Sequence, residues 1–330
     1  MSSIKDVAKQ AGVAISTVSK VLNGYAGVSE ETKIKVNQAI EALNYTPNAI
    51  ASALSSKQTG RVALLLNLTE KTAAVDEIDM QYLSGAIYRA RELKMDVVTL
   101  FFSMLEDKTI AEVINYLKAQ SIEGIIVYSG DGHRTWLEGL MASRQFKMVI
   151  VDSYLHNENT SCVWINNRQA QYDVAKKTIL ENPHSERVLY IAGNERDFVT
   201  QERIAGMKML EAELDFDLTI EYGNYSEKTA RELTFQYEKN TDVFVCGSDL
   251  MAIGAMRALL ELDVFHPVCG FDGITLMGYA GKQMNTIKQN FYRISASAVE
   301  EVSRLMQGDE GRKLVLDYEL VRMKYQDIII

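Results

Sequence analysis

Residues 4 to 23 read IKDVAKQAGVAISTVSKVLN, and their spacing restricts what this chain can fold into more than any other stretch. A first helix needs a small residue where a second crosses it closely, and Ala8 supplies one. The turn between them needs a residue that tolerates positive φ, which is Gly12. The second helix needs apolar positions one turn apart on its inner face, and Val18 and Val21 provide them, with Val13 closing the corner. Ile15, Ser16, Ser19 and Lys20 remain on the outer face, and Thr17 and Asn23 complete the candidate contacts of this helix. The pattern is that of a helix-turn-helix whose outer residues reach base edges or phosphates in a major groove. A plain helical hairpin shares the bare Ala-x-x-x-Gly spacing.

A chain of 330 residues is long enough for two or three domains with their own cores. Its net charge of −9 looks wrong for a nucleic-acid binder, so the distribution of charge decides the matter. Residues 1–60 carry six lysines against Asp6, Glu30, Glu31 and Glu41, or +2, which leaves −11 for the rest. A mildly basic head on an acidic body touches DNA with the head alone. No apolar run approaches the roughly 20 residues of a membrane span, and MSSIKDVAKQ has no apolar signal core, so a cytoplasmic location is expected. Cys162, Cys246 and Cys269 are too scattered for a metal site or a disulfide framework, and buried reduced thiols are expected. His133, His156, His184 and His266 lack metal-ligand spacing, and no phosphate loop, Gly-x-Gly-x-x-Gly or nucleophile elbow occurs. The sequence therefore reads as a non-enzyme without cofactor or metal.

Helix signals in the head are Ser3 with Asp6, Ser29 followed by two glutamates, and Thr46 with Pro47. The last pair opens a stretch of about eight residues, too short for an isolated helix and in need of support. From Arg61 onward strands alternate with helices. Apolar strands are expected at 62–66, 96–101, 124–128, 148–151, 188–191, 242–245 and 268–271, with helices at 82–93, 110–119, 172–180, 204–214 and 251–262. This alternation predicts parallel sheets built from right-handed βαβ units, in two lobes. Ligands bind such sheets outside the carboxyl ends of the strands, which here carry Asn67, Tyr128-Ser129, Asp152, Asn194, Ser248-Asp249 and Asp272. Many of these residues also terminate strands simply as turn formers.

The N-terminal run resembles the start of LacI/GalR-family transcriptional regulators. The resemblance continues through Val28-Ser-Glu-Glu-Thr-Lys33, Ala39-Ile-Glu-Ala-Leu43, Tyr45-Thr-Pro-Asn48 and Ala51-x-x-Leu54, then more loosely along the body. It implies a helix-turn-helix domain at 1–46, a hinge helix and linker at 47–60, and an effector-binding and dimerisation core at 61–330. The core would have the periplasmic-binding-protein fold, with a first lobe of 61–161 and 291–318, a second of 163–289 and 320–330, and crossovers near 161–163, 289–291 and 318–320. Four patterns carry implied effector contacts: Gln-Glu-Arg203-Ile-Ala-Gly206, Cys-Gly-Phe-Asp272-Gly, Ser248-Asp249-Leu-Met-Ala-Ile-Gly254, and Gly223-Asn-Tyr225-Ser226. Asn67 and Asp152 join Arg203, Tyr225, Ser248 and Asp272 as candidate effector ligands; Asn48 and Leu54 join the DNA set. The chain departs from the family pattern at Ala14, Ser52, Asn166-Asn167 and the short stretch 262–267.

The resemblance implies a homodimeric repressor on a palindromic operator, controlled by a small molecule between the lobes. A sugar or sugar derivative leads, on Arg203, Asp272 and Tyr225; a nucleobase or a protein co-regulator also fits the fold. A small-molecule binding protein without DNA regulation is the alternative. Leu54 of each subunit is expected to wedge between base steps at the operator centre. Leu54→Ala should then weaken specific operator binding while leaving effector affinity and dimerisation intact, as read by an operator titration at fixed salt.

Overall fold

Ser3 and Asp6 start the first helix, α1 (Ile4–Ala11), with a reciprocal cap: Ser3 Oγ accepts from Asp6 N at 3.4 Å and Asp6 Oδ2 from Ser3 N at 2.8 Å. Gly12, at φ +66°, ends α1 in the left-handed conformation, and α2 (Ile15–Leu22) follows. Ser29 caps α3 (Glu30–Ala42) by accepting from Thr32 N at 3.3 Å. Val7, Ala8, Val18, Val36 and Ala39 are buried together, with Val13, Val21, Leu43 and Tyr45 packed around them. The computed structural model describes residues 3–22, 27–45, 60–67, 77–128, 133–183 and 185–324. The chain separates into two units, Met1–Thr59 and Gly60–Ile330. Asn23, the proposed hinge with Asn48 and Leu54, Ser129, His184 and the stretch from Tyr325 lie outside the described residues.

The second unit holds two six-stranded sheets. The first has the order β11-β5-β4-β3-β1-β2, from β1 (Arg61–Leu66), β2 (Val97–Phe101), β3 (Ile122–Val127), β4 (Lys147–Val151), β5 (Thr160–Ile165) and β11 (Lys313–Leu316). The second has the order β12-β10-β9-β8-β6-β7, from β6 (Arg187–Ala192), β7 (Asp217–Tyr222), β8 (Val243–Cys246), β9 (Val268–Cys269), β10 (Asn285–Lys288) and β12 (Glu319–Arg322). All pairings are parallel except that of β12 with β10.

Both faces of each sheet are covered, so the central strands are apolar on both sides. In the first lobe Val62, Leu64 and Ile126 meet α4 (Glu77–Glu92) and α11 (Phe291–Met306). Ala63, Leu65 and Ile125 face α5 (Ile110–Ala119) and α6 (Arg134–Ala142) on the other side. In the second lobe Val188 and Tyr190 pack with α7 (Asn167–Leu180) and α8 (Phe198–Leu214). Leu189 and Ile191 pack with α9 (Glu227–Tyr237) and α10 (Asp249–Glu261).

The chain passes between the sheets three times: after β5, after β10 and after β11. The first passage differs from the expected 161–163. Residues 160–165 form one uninterrupted strand, paired with β4 and β11 through Ile165, and the crossing follows at Asn166. The last link is only Asp317-Tyr318, too short for a crossover helix, and β12 therefore enters its sheet antiparallel.

Three helix pairs cross on a glycine. A Cβ on Gly85 of α4 would lie 2.2 Å from the Tyr292 carbonyl oxygen of α11. One on Gly206 of α8 would meet the Arg168 carbonyl of α7 at 2.2 Å, and one on Gly254 of α10 the Glu227 carbonyl of α9 at 2.1 Å. Alanine in a helix ordinarily gains up to about 1 kcal/mol over glycine. At Gly85 the clash with rigid backbone outweighs that gain. Gly85→Ala should destabilise the core by about 1–3 kcal/mol, measured by urea unfolding.

Candidate DNA-binding face and effector cleft

On the head, burial of Val18 turns the opposite side of α2 to solvent. Ile15 is 44% exposed, Ser16 and Lys20 are exposed, and Thr17 and Ser19 are half-buried. An apolar side chain held out in this way suits a thymine methyl, and a lysine suits guanine O6 and N7. Ala14 precedes α2 and has no side-chain oxygen to cap it. Its carbonyl instead accepts from Thr17 N at 2.9 Å and Val18 N at 3.2 Å.

In the core, the carboxyl ends of the two sheets meet. Tyr154, following β4, lies 4.8 Å from Phe198 at the start of α8, and Trp164 of β5 lies 5.1 Å from the same ring. Arg203, on α8 of the second lobe, is 5% exposed. Its Nε donates to Asn167 Oδ1 at 2.9 Å and its Nη1 to the Gly247 carbonyl at 2.5 Å, while its plane covers Phe271 at 3.5 Å. Nη2 stands 3.9 Å from Asp272 Oδ1. Both partners of this ion pair belong to the second lobe, so the pair does not join the lobes. Arg203 is a structural cation as well as a candidate contact, and its loss should lower stability.

Three carboxyls surround this guanidinium. Asp152, at φ +55° after β4, is pushed up to about 6 by burial, against the pull of Arg203. Tyr82 donates to its Oδ2 at 3.4 Å, and its Oδ1 has no partner. Burial also raises Asp249 and Asp272, again opposed by hydrogen bonds and Arg203. Asp249 accepts from Gly273 N at 2.7 Å, Ile274 N at 2.8 Å and Thr286 Oγ1 at 2.6 Å. These donors favour its charged form and oppose the burial. Asp272 accepts from Gln289 Nε2 at 3.0 Å.

The other candidates are placed unequally. Tyr225, at φ +56°, is half-buried with its hydroxyl 2.9 Å from Thr200 Oγ1 and its ring over Gly193. Asn67 is exposed at the end of β1. Ser248 is 4% exposed and caps α10, its Oγ accepting from Met251 N at 3.3 Å. Helix capping thus accounts for this serine. Tyr82, Tyr154, Trp164, Asn167, Phe198 and Gln289 also belong to this region. Asn167 stands out in sequence only as a departure from the family pattern, and Gln289 carries no sequence signal beyond following a strand. Among the described residues no group of His, Cys, Asp and Glu is arranged to hold a metal ion. None of their helices is long and apolar enough to cross a membrane.

A helix-turn-helix unit joined in one chain to a two-lobed α/β core, with polar side chains gathered at its strand ends, defines a ligand-responsive DNA-binding regulator. Residues 3–48 match the bacterial regulatory proteins of the lacI family, and residues 74–310 match a periplasmic binding protein domain. The chain is 27% identical over 330 residues to the HTH-type transcriptional repressor PurR of Vibrio parahaemolyticus, covering 97% of this chain and 96% of that protein. It is 29% identical over 329 residues to the PurR repressor of Vibrio atlanticus, covering 96% of each. Its fold matches that of the lac repressor dimer bound to operator and the anti-inducer ONPF, with a TM-score of 0.82 at 23% identity over 99% of both chains. It also matches the regulator CelR in complex with cellobiose, with a TM-score of 0.69 at 22% identity over 98% of this chain and all of that one. The chain belongs to the LacI/GalR family of transcriptional regulators. It is a DNA-binding repressor with an effector-binding domain.

Lys20 ends the exposed row on α2. Lys20→Ala should relax preference at one base pair per half-site by about 1–3 kcal/mol. Binding measured to operators varied at each position checks this; a uniform loss with a smaller salt slope would make Lys20 a phosphate contact.

Proposed function

We propose that this repressor works in the cytoplasm as a homodimer on a palindromic operator, and that its effector is a neutral, hydroxyl-rich molecule of the sugar class. Ile15, Ser16, Thr17, Ser19 and Lys20 read the major groove. Asp152, Asp272, Arg203 and Tyr225 face the effector, with Asn67 and Ser248 as outer candidates. The observation that carries the ligand class is the charge balance at the strand ends. Asp152, Asp249 and Asp272 face one guanidinium whose donors already serve Asn167 and Gly247. That setting repels an anion, so a sugar phosphate is disfavoured. It offers carboxyl oxygens to hydroxyl donors, and a carboxyl that keeps its proton both donates and accepts. Tyr154, Trp164 and Phe198 supply aromatic faces for the apolar side of a sugar ring.

The same aromatic group stacks a planar base equally well, which makes a nucleobase the second reading. The PurR name shared by the matched relatives puts purines in the test panel beside hexoses and pentoses. Melting temperature and operator retention, measured for each compound, separate the two readings.

Asp272→Asn tests the site directly. It should fold and bind operator, because asparagine is nearly isosteric and its side-chain oxygen still accepts from Gln289 Nε2, yet lose the thermal shift and the operator response to the effector. The substitution also has a pH signature. A carboxyl raised by burial binds its proton more tightly folded than unfolded, so stability is greatest below its unfolded value near 3.8 and falls as pH rises toward its folded value. The stability difference between wild type and Asp272→Asn should therefore change as pH rises from about 4 into the neutral range, with wild type losing ground to the variant. Urea midpoints across that range provide the measurement.

A further inference from the structure

Three successive backbone N–H groups follow Asp272, and they are divided between the two lobes. Those of Gly273 and Ile274 donate to Asp249, inside the second lobe. The third, of Thr275, donates to Glu77 Oε2 at 2.8 Å, and the Thr275 hydroxyl donates to Glu77 Oε1 at 2.9 Å. Glu77 is the first residue of α4, which packs on α11 in the first lobe. Thr275 begins the 3-10 turn Thr275–Tyr279, whose Met277 packs against the α10 side of the second sheet. This two-point contact therefore crosses the cleft outside the three connecting segments.

Each end of the contact is steadied by its own lobe. A carboxylate in the first turn of a helix lies near the positive end of the helix dipole, and Gln81 Nε2 donates to Glu77 Oε1 at 3.2 Å. On the other side the loop is held in a backbone that few residues adopt, with Asp272 at φ +124° and Gly273 at φ +76°. Strain of this kind persists only where the surroundings over-determine the conformation. Here Asp249 grips the two N–H groups after Asp272, Gln289 of the second connection holds the Asp272 carboxyl, and Glu77 grips the next N–H from across the cleft.

We propose that Glu77 is an inter-lobe clasp: it closes the first lobe onto the loop that carries Asp272, and so ties the separation of the lobes to the position of that carboxyl. The significance of Asp272 rests on the effector reading above; the clasp itself does not. A ligand that moved the Asp272 loop would strain or release the Glu77 contact, and α4 with it.

The test uses the full-length protein without ligand, spin-labelled at Lys118→Cys in the first lobe and Lys228→Cys in the second. Both lysines are exposed, while Cys162, Cys246 and Cys269 are buried and escape labelling. Inter-lobe distance distributions are compared for wild type, Glu77→Ala, Glu77→Gln and Thr275→Val. The clasp requires that Glu77→Ala broaden the distribution toward longer separations, that Thr275→Val do so less, and that Glu77→Gln, which still accepts a hydrogen bond, stay near wild type. Thr275→Val is nearly isosteric and keeps the backbone N–H, so it provides a readout even if Glu77→Ala folds poorly. Distributions that superimpose for Glu77→Ala, Thr275→Val and wild type overturn the proposal. So does a glutamine variant that behaves as the alanine one. Because no effector is present, such a result leaves the effector reading standing; a ligand panel without response, with the distances as expected, removes the effector reading and leaves the clasp.

Discussion

A guanidinium buried to 5% exposure is the constraint around which the ligand-facing end of the second lobe is arranged. An unpaired charge at that depth costs several kcal/mol, so the sequence must supply partners from several elements at once. Asn167 comes from the start of α7, Gly247 from the end of β8, and Asp272 with Phe271 from the chain after β9. These elements are remote in sequence: Gly247 and Asp272 follow neighbouring parallel strands of the second sheet, and Asn167 opens the helix reached by the first passage from the other sheet. The cation thereby fixes how three strand ends sit together. Its field also opposes the burial that pushes Asp152 and Asp272 upward.

The consequence is a cleft whose acidity is set by competition. Burial alone would leave Asp152, Asp249 and Asp272 largely neutral, and full solvation would leave all three charged. Three hydrogen-bond donors favour charge on Asp249, while burial raises Asp272 furthest of the three against the pull of Arg203. Carboxyls in such a balance distinguish ligands by the donors and charge they bring, which is the physical ground for proposing a polyol over an anion.

Much of this architecture was legible in the sequence. Val7, Ala8, Val18 and Val36 form the head core that the Ala8–Gly12–Val18 spacing demands. The most apolar strands, β1, β3, β4, β6 and β8, announce themselves because burial on both faces leaves continuous runs of Val, Ile and Leu. Strands β7, β11 and β12 are less visible: they lie at sheet edges and alternate polar with apolar residues, as in Asp217–Tyr222. The first passage between lobes comes later than the 161–163 that the resemblance implies, because pairing on both sides makes 160–165 one strand. Position marks Asp152 as a polar residue ending an apolar strand, and Asp272 carries both that signal and the family pattern around it. Ser248 was found by the same logic and turns out to cap a helix, a role that sequence does not separate from ligand contact. Glu77 and Gln289 left no trace, since their partners lie 198 and 17 residues away and are chosen by topology.

The glycine crossings have a mechanical meaning beyond close packing. Where helix backbones touch at Gly85, Gly206 and Gly254, little side-chain volume separates them to be redistributed when a force is applied. Each lobe then behaves as a stiff plate, and compliance is left to the connections at Asn166, at Gln289-Asn290 and at Asp317-Tyr318. A push at the strand ends is converted into rotation of whole bodies, and is not dissipated within either one. Within the core, a small displacement where the two lobes meet would then reach the far end of each lobe without being absorbed by its packing.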